Sequence, residues 1–180
     1  MSQSKKEKTV SLILSALFTA VIAVCAQIQI PTPFFTITLQ TFAVALCGYT
    51  LGVKYSLFSV VAYILLGIAG APVFTGFCGG FHDIVEPQGG FIIAFPFLAL
   101  ICGLSFKLNK SLHKILLGFV GVTFLFAFGI FYFMLMMTDK KSLYVVLLMF
   151  LGAYVKDLLC CVAAFYFSST VRKRVMKKAV

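Results

Sequence analysis

The sequence predicts an all-α integral membrane protein: six transmembrane helices in one compact bundle, both termini cytoplasmic, with a ligand pocket toward the outer side. Three observations carry the fold class. First, 62% of the 180 residues are hydrophobic and 11% are charged, against about 25% charge in an ordinary soluble domain. Second, the mean hydropathy is +1.09, so there is too little polar surface to cover a water-soluble fold and the apolar side chains must face lipid. Third, apolar runs recur between short clusters of lysine and arginine. A soluble enzyme, a disordered chain and a secreted disulfide module are excluded on the same grounds. The formal charge of +10 does not mark a nucleic-acid binder, because the cations cluster between spans instead of striping one face.

The chain divides into a basic cytoplasmic N-terminus (1–9), a six-helix membrane domain (10–171) and a basic cytoplasmic tail (172–180). The first run, about 10–30, follows Lys5, Lys6 and Lys8. It is long for a signal peptide and has no small-x-small cleavage pattern, so it reads as a retained helix. The second run, about 39–53, ends at Lys54, and the third covers about 55–71. The fourth starts after Gly89-Gly90 and ends near Lys107, and the fifth covers about 112–134. The last apolar stretch, 143–170, exceeds the roughly 20 residues of one span. Counting back from Arg172, Lys173 and Arg174 puts a helix break near Gly152 and leaves 140–151 as an apolar lid on the outer surface. With the N-terminus inside, the clusters at 5–8, 54, 107–114 and 172–178 are cytoplasmic. Outside lie Lys140 and Lys141 with the acids Asp83, Glu86 and Asp139, as the positive-inside rule requires.

The outer connections hold the unusual residues. Between the first two spans, residues 27–40 carry Pro31 and Pro33 among Gln and Thr side chains; the prolines stop the helix and predict an ordered apolar loop. Between the third and fourth, residues 72–90 combine Gly76, Gly79, Gly80, Gly89 and Gly90 with aromatics. Such backbone turns sharply and brings its N–H groups close to a ligand or an anion. Within the last span, Asp157 needs a hydrogen-bond donor from protein or ligand, whereas its neighbour Lys156 can snorkel outward. Ala16 and Ala20, one turn apart on the first helix, form a small-residue face suited to close helix packing in lipid. That face serves either a partner or the bundle itself.

The cysteines (Cys25, Cys47, Cys78, Cys102, Cys160 and Cys161) include no Cys-x-x-Cys pair, and His82 and His113 are the only histidines. No metal site, cofactor or disulfide framework is expected. Phosphate-binding loops and hydrolase motifs are also missing, so any ATP must be used by another subunit. A membrane thiol enzyme built on Cys78, His82 and Asp83 is the minor alternative; it lacks an evident third orienting group.

In order along the chain, Ala16-Leu17-Phe18-Thr19-Ala20, Pro33 to Thr41, Leu66 to Phe74, Gly79-Gly80, Pro87-Gln88-Gly89-Gly90-Phe91, Phe95-Pro96 and Asp157-Leu158-Leu159 resemble the BioY family. These are the biotin-specific S components of energy-coupling-factor vitamin transporters. The resemblance covers about residues 10–170. It implies a non-enzymatic membrane subunit of the bacterial or archaeal plasma membrane that captures biotin from outside. It also implies partners, a transmembrane coupling protein and two ATPase subunits, with Ala16 and Ala20 as the docking face. The ligand-binding set it implies is Asp157, Gln40, Thr36, Tyr63, Phe74, Gly76, Cys78, Gly79, Gly80, Gly89 and Gly90. The ureido ring of biotin offers two N–H donors and a carbonyl, which suit Asp157 and loop amides; its thiophane ring and valeryl chain suit walls such as Phe74, Phe77 and Tyr63. This chain has Cys160, Glu86 and Cys78 where the family usually has lysine, glycine and a polar residue. A change to another vitamin-like ligand would show at those positions.

Overall fold

The computed structural model describes residues 3–32, 36–136 and 143–176. The expectations placed on Pro33, Asp139, Lys140, Lys141, Lys177 and Lys178 fall outside that set. Helix α1 (Gln3–Gln27) leads into a short antiparallel hairpin, β1 (Gln29–Pro31) paired with β2 (Thr36–Thr38). Then come α2 (Gln40–Ile68), the one-turn α3 (His82–Val85), α4 (Gly89–Leu104), α5 (Ser111–Met136) and α6 (Leu143–Val171). Five of these helices are long and apolar enough to cross a membrane.

Two of the six expected spans lie inside α2. Gly52 interrupts that helix with φ 73° and ψ 179°, a conformation essentially reserved for glycine. In an unbroken helix, Gln40 and Tyr63 would stand about 34 Å apart at 1.5 Å per residue, yet Gln40 Nε2 donates to Tyr63 Oη over 2.6 Å. The chain therefore reverses at Gly52 and runs as two antiparallel limbs, 40–51 and 53–68. The sequence placed this turn correctly to within two residues, at Val53–Lys54.

The other helices pack on these limbs. Gly48 sits where any Cβ would strike Cys102 and the Ala99 carbonyl, and Gly103 abuts Val53; α4 thus touches the backbone of both limbs. Helix α1 lies along the second limb. There Ser15 Oγ and Thr19 Oγ1 donate to the carbonyls of Tyr55 and Ser59 over 3.2 and 3.0 Å, satisfying hydroxyls that lipid could not. Helix α6 lies along the first limb, where Tyr49 Oη contacts Cys161 Sγ at 3.3 Å, and α5 bridges α4 and α6. The core includes Ile22, Val44, Tyr49, Val60, Leu98 and Val122, each at most 2% exposed. Leu17, Val24, Val120, Phe131, Leu151, Val155 and Leu159 point outward, as lipid requires.

Charge is segregated by end. Arg172 stacks over Phe106 at 4.1 Å, and Phe106 in turn lies against Gly52. Lys54, Lys107 and the start of α5 thus share one end with Arg172, while the hairpin, Asp83 and Glu86 occupy the other.

Three expectations are corrected. Helix α6 is continuous from Leu143 to Val171, so Gly152 makes no break and 143–151 belongs to the last helix instead of a surface lid. A single helical glycine costs only about 1 kcal/mol, too little to stop a helix supported by tertiary contacts. The first helix ends at Gln27 instead of near Ile30, because Gln29–Pro31 pairs as a strand. The proline-bearing loop is thereby a hairpin, with Gln29 opposite Thr38, Ile30 opposite Ile37 and Pro31 opposite Thr36.

Gly52→Val should lower stability by about 1–3 kcal/mol, visible as a reduced Tm of the purified protein in detergent. Gly152→Ala, where an added Cβ meets nothing within 4 Å, should leave Tm unchanged or raise it.

Candidate functional site

At the end away from the basic cluster, the hairpin, the 72–90 connection and the adjoining ends of α2, α4, α5 and α6 enclose a cavity of about 380 Å³. That volume is in the range of small-molecule sites. One part of the wall is aromatic: Phe91 packs edge-on to Phe126 at 5.5 Å and tilted on Phe150 at 5.6 Å, and Phe95 and Phe74 also line it. Its polar side chains are Gln29, Thr36, Thr38, Gln40, Thr41, Thr75, Gln88, Asp83, Glu86, Lys156 and Asp157, with Ile37, Ile92 and Ala153 between them.

Asp157 is the most constrained polar group. It is 5% exposed, and its Oδ2 accepts a hydrogen bond from Thr41 Oγ1 at 3.0 Å. Its Oδ1 ion-pairs with Lys156 Nζ at 2.5 Å but receives no hydrogen bond of good geometry. Although adjacent residues point about 100° apart on a helix, the long lysine side chain folds back to reach the carboxylate. Lys156 Nζ also donates to the Thr38 carbonyl at 2.5 Å, fastening β2 to α6. It lines the cavity instead of snorkelling away.

Gln40 is the second anchor. Its Oε1 accepts from Thr38 Oγ1 at 3.1 Å and Thr75 Oγ1 at 3.4 Å, while Nε2 donates to Tyr63 Oη. Tyr63 Oη in turn donates to the Val73 carbonyl at 3.2 Å. One glutamine thus ties together the hairpin, both limbs of α2 and the 72–90 connection. The covering segments are latched separately. Gln27 Nε2 donates to the Phe74 carbonyl and Gln27 Oε1 accepts from Phe77 N–H, both at 2.9 Å, and Thr36 N–H donates to Gln88 Oε1 at 3.2 Å. Phe77 holds φ at 59°, a strained value for a non-glycine residue and one that clusters at ligand sites.

Of the expected site residues, Asp157, Gln40, Thr36, Phe74, Gly76 and Cys78 line the cavity. Tyr63 is fully buried behind Gln40 and supports it. Phe77 is 71% exposed and points away from the interior. Gly79, Gly80, Gly89 and Gly90 are outside the lining set and serve close packing: a Cβ at 79, 89 or 90 would strike Ala71, Ile84 or Tyr132, and Gly80 N–H donates to the Gly67 carbonyl at 2.7 Å. Cys78 Sγ faces the Gly76 carbonyl and His82 Nδ1 faces Glu86 Oε1 at 3.2 Å, so these groups do not assemble a thiol–imidazole pair. Ala16 and Ala20 are exposed, which removes the reading of that face as packing inside the bundle. The expected binding set leaves out Thr41, Lys156, Asp83 and the Phe91–Phe126–Phe150 group, which all line the cavity: the sequence reading turns Lys156 outward and uses Asp83 only in the thiol-enzyme alternative, and nothing in the chain order shows that Thr41 and the three phenylalanines meet there.

A membrane-spanning helical bundle whose single-sided, mixed-polarity cavity holds a buried carboxylate defines a membrane-embedded binder of a small ligand carrying both hydrogen-bonding and apolar parts. Comparison with known proteins refines the class. The family model described as BioY family matches residues 1–177. A probable biotin transporter BioY of Pyrococcus horikoshii is 47% identical over 100 residues, 56% of this chain and 60% of its own length. The biotin transporter BioY of Thermotoga maritima is 40% identical over 121 residues, 67% of this chain and 72% of its own length. A crystal structure of the S-component for biotin from an ECF-type ABC transporter superposes with TM-score 0.83 at 26% identity, covering 97% of this chain and 95% of that one. The chain belongs to the BioY family. The sequence-based assignment to that family is thereby borne out.

Thr41→Val should leave Asp157 Oδ2 without its hydroxyl donor and cost about 1–3 kcal/mol, read as a fall in Tm. In the Asp157→Asn background the same change should cost markedly less, a coupling that a double-mutant cycle measures.

Proposed function

We propose that this chain is the substrate-capture subunit of an ATP-driven vitamin importer and that its ligand is biotin, taken from the outer face of the plasma membrane. It acts as a binding component and not as an enzyme. The basic segments 1–9 and 172–180 flank the membrane domain (10–171) on the cytoplasmic side. The observation that carries the reading is Asp157, a carboxylate 5% exposed that lines the cavity with Oδ2 held by Thr41 and Oδ1 paired only with Lys156. A ureido N–H is the neutral donor that matches it, and a charge-assisted bond of that kind contributes about 1.5–3 kcal/mol. Phe74, Phe91 and Phe95 supply flat apolar surface for a thiophane ring and alkyl chain. Thr36, Gln40, Gly76 and Cys78 complete the contact set.

Delivery to the cytoplasm requires an energy source, and the family reading assigns it to a transmembrane coupling protein driven by two ATPases. Ala16 and Ala20, exposed on α1, are the docking face, because small side chains let a partner helix approach closely.

Purified protein in detergent should bind biotin stoichiometrically in a calorimetric titration, and Asp157→Asn should weaken that binding about ten- to a hundredfold. Undiminished affinity in the variant would remove Asp157 from the site. Ala16→Trp with Ala20→Trp should abolish biotin uptake by cells carrying the coupling module while leaving binding to the isolated subunit intact; normal uptake would place the docking face elsewhere.

A further inference from the structure

One wall of the cavity is a turn fastened from α1. Phe74, Thr75, Gly76 and Cys78 all line the cavity, and the turn they form passes through two positive φ values, 76° at Gly76 and 59° at Phe77. The second is strained for a phenylalanine and persists only where neighbouring contacts fix it. Gln27 supplies that contact: its Oε1 accepts the Phe77 N–H while its Nε2 donates to the Phe74 carbonyl, both at 2.9 Å. Among the described residues these two hydrogen bonds are what joins α1 to the turn. The remaining ties, from Thr75 to Gln40 and from Tyr63 to Val73, lead to α2. Gln27 also holds a particular place on its helix. Successive helical residues are about 100° apart, so Ala20 stands about 40° and Gln27 about 20° from Ala16 around the axis. Gln27 therefore falls on the Ala16–Ala20 face, about 10 Å beyond Ala20 toward the outer end. Ala16 and Ala20 are exposed and Gln27 is half-buried, so the open stripe of α1 runs up to the residue that holds the turn.

Resting on the docking face and the biotin pocket proposed above, we infer that Gln27 is the positioning residue that links them. A coupling-protein helix packed along Ala16 and Ala20 reaches the Gln27 amide and draws it away from the 74–77 turn. The turn then relaxes, and Phe74 and Thr75 loosen their hold on the ligand. In the free subunit the two Gln27 bonds keep the turn in its strained form and the ligand enclosed. Docking and biotin binding must then oppose each other by the same factor, because coupling between two sites is reciprocal. Two hydrogen bonds lost from the turn correspond to about a tenfold change, carried mainly by the dissociation rate.

The test measures association and dissociation rates of radiolabelled biotin on the full chain in detergent, alone and in complex with the coupling protein and its ATPases without nucleotide. Three forms are compared: wild type, Gln27→Met, which keeps the volume and removes both bonds, and Gln27→Glu, which keeps the acceptor for Phe77 N–H and loses the donor to Phe74. In the free subunit Gln27→Met should release biotin about tenfold faster with an unchanged association rate, and Gln27→Glu should fall between it and the wild type. Complex formation should accelerate release from the wild type about tenfold and from Gln27→Met by less than about twofold. An unchanged dissociation rate in free Gln27→Met overturns the proposal, as does a complex that accelerates both forms equally. Equal release from free and complexed wild type does the same, and that comparison stands even if a variant fails to fold. No biotin bound by the wild type sinks the biotin reading, and a complex that survives Ala16→Trp with Ala20→Trp sinks the docking face; the proposal falls with either, and the readout shows which.

Discussion

Everything at the outer end of this bundle depends on keeping one carboxylate buried. Removing an ion from water costs several kcal/mol unless partners replace the solvent, and Asp157 has two: the Thr41 hydroxyl from the first limb of α2 and the Lys156 ammonium from its own helix. The lysine is tied to more than the carboxylate, because the same nitrogen holds the Thr38 carbonyl of the hairpin. Solvation of the buried acid, closure of the hairpin and the docking of α6 on α2 are therefore one connected set of contacts. Asp157 itself lines a cavity of ligand size, with Lys156 as the only partner of Oδ1. In the functional reading, a ligand N–H adds a further donor to that carboxylate.

This arrangement rests in turn on a backbone constraint at the far end. The reversal at Gly52 brings Gln40 back beside Tyr63, and Gln40 then gathers the hairpin, the 72–90 connection and both limbs around the cavity rim. Aromatic packing fills the remaining wall: Phe74 lies edge-on to Tyr63 at 5.5 Å and within close reach of Gly67, where no larger residue fits. Polar contacts fix the direction of the site's donors and acceptors, while the phenylalanines set its volume.

The parts legible in the sequence are those with a one-dimensional signature. Runs of apolar residues bounded by lysine and arginine reveal the spans and their sidedness, since both the length of a membrane helix and the placement of charge are local properties. A glycine- and proline-rich outer connection revealed which end holds the cavity, and Asp157 stood out as an acid in an apolar run. The rest depends on long-range meetings. Thr41 and Asp157 are 116 positions apart and Lys156 and Thr38 are 118 apart, and no spacing rule connects them. Gly152 misled for the converse reason: glycine is a strong local signal, but here tertiary support around α6 outweighed a propensity cost of about 1 kcal/mol. Gly79, Gly89 and Gly90 looked like ligand-facing backbone, whereas their missing side chains make room for neighbouring backbone and for the Tyr132 ring.

A crystal structure of the full chain with biotin bound examines the central claim most directly. The account predicts a ureido nitrogen about 2.7–3.2 Å from Asp157 Oδ1, with Thr41 still bonded to Oδ2 and the fused rings against Phe74 and Phe91. Biotin seated in the cavity with its ureido group turned away from Asp157, or bound outside the cavity altogether, would contradict it.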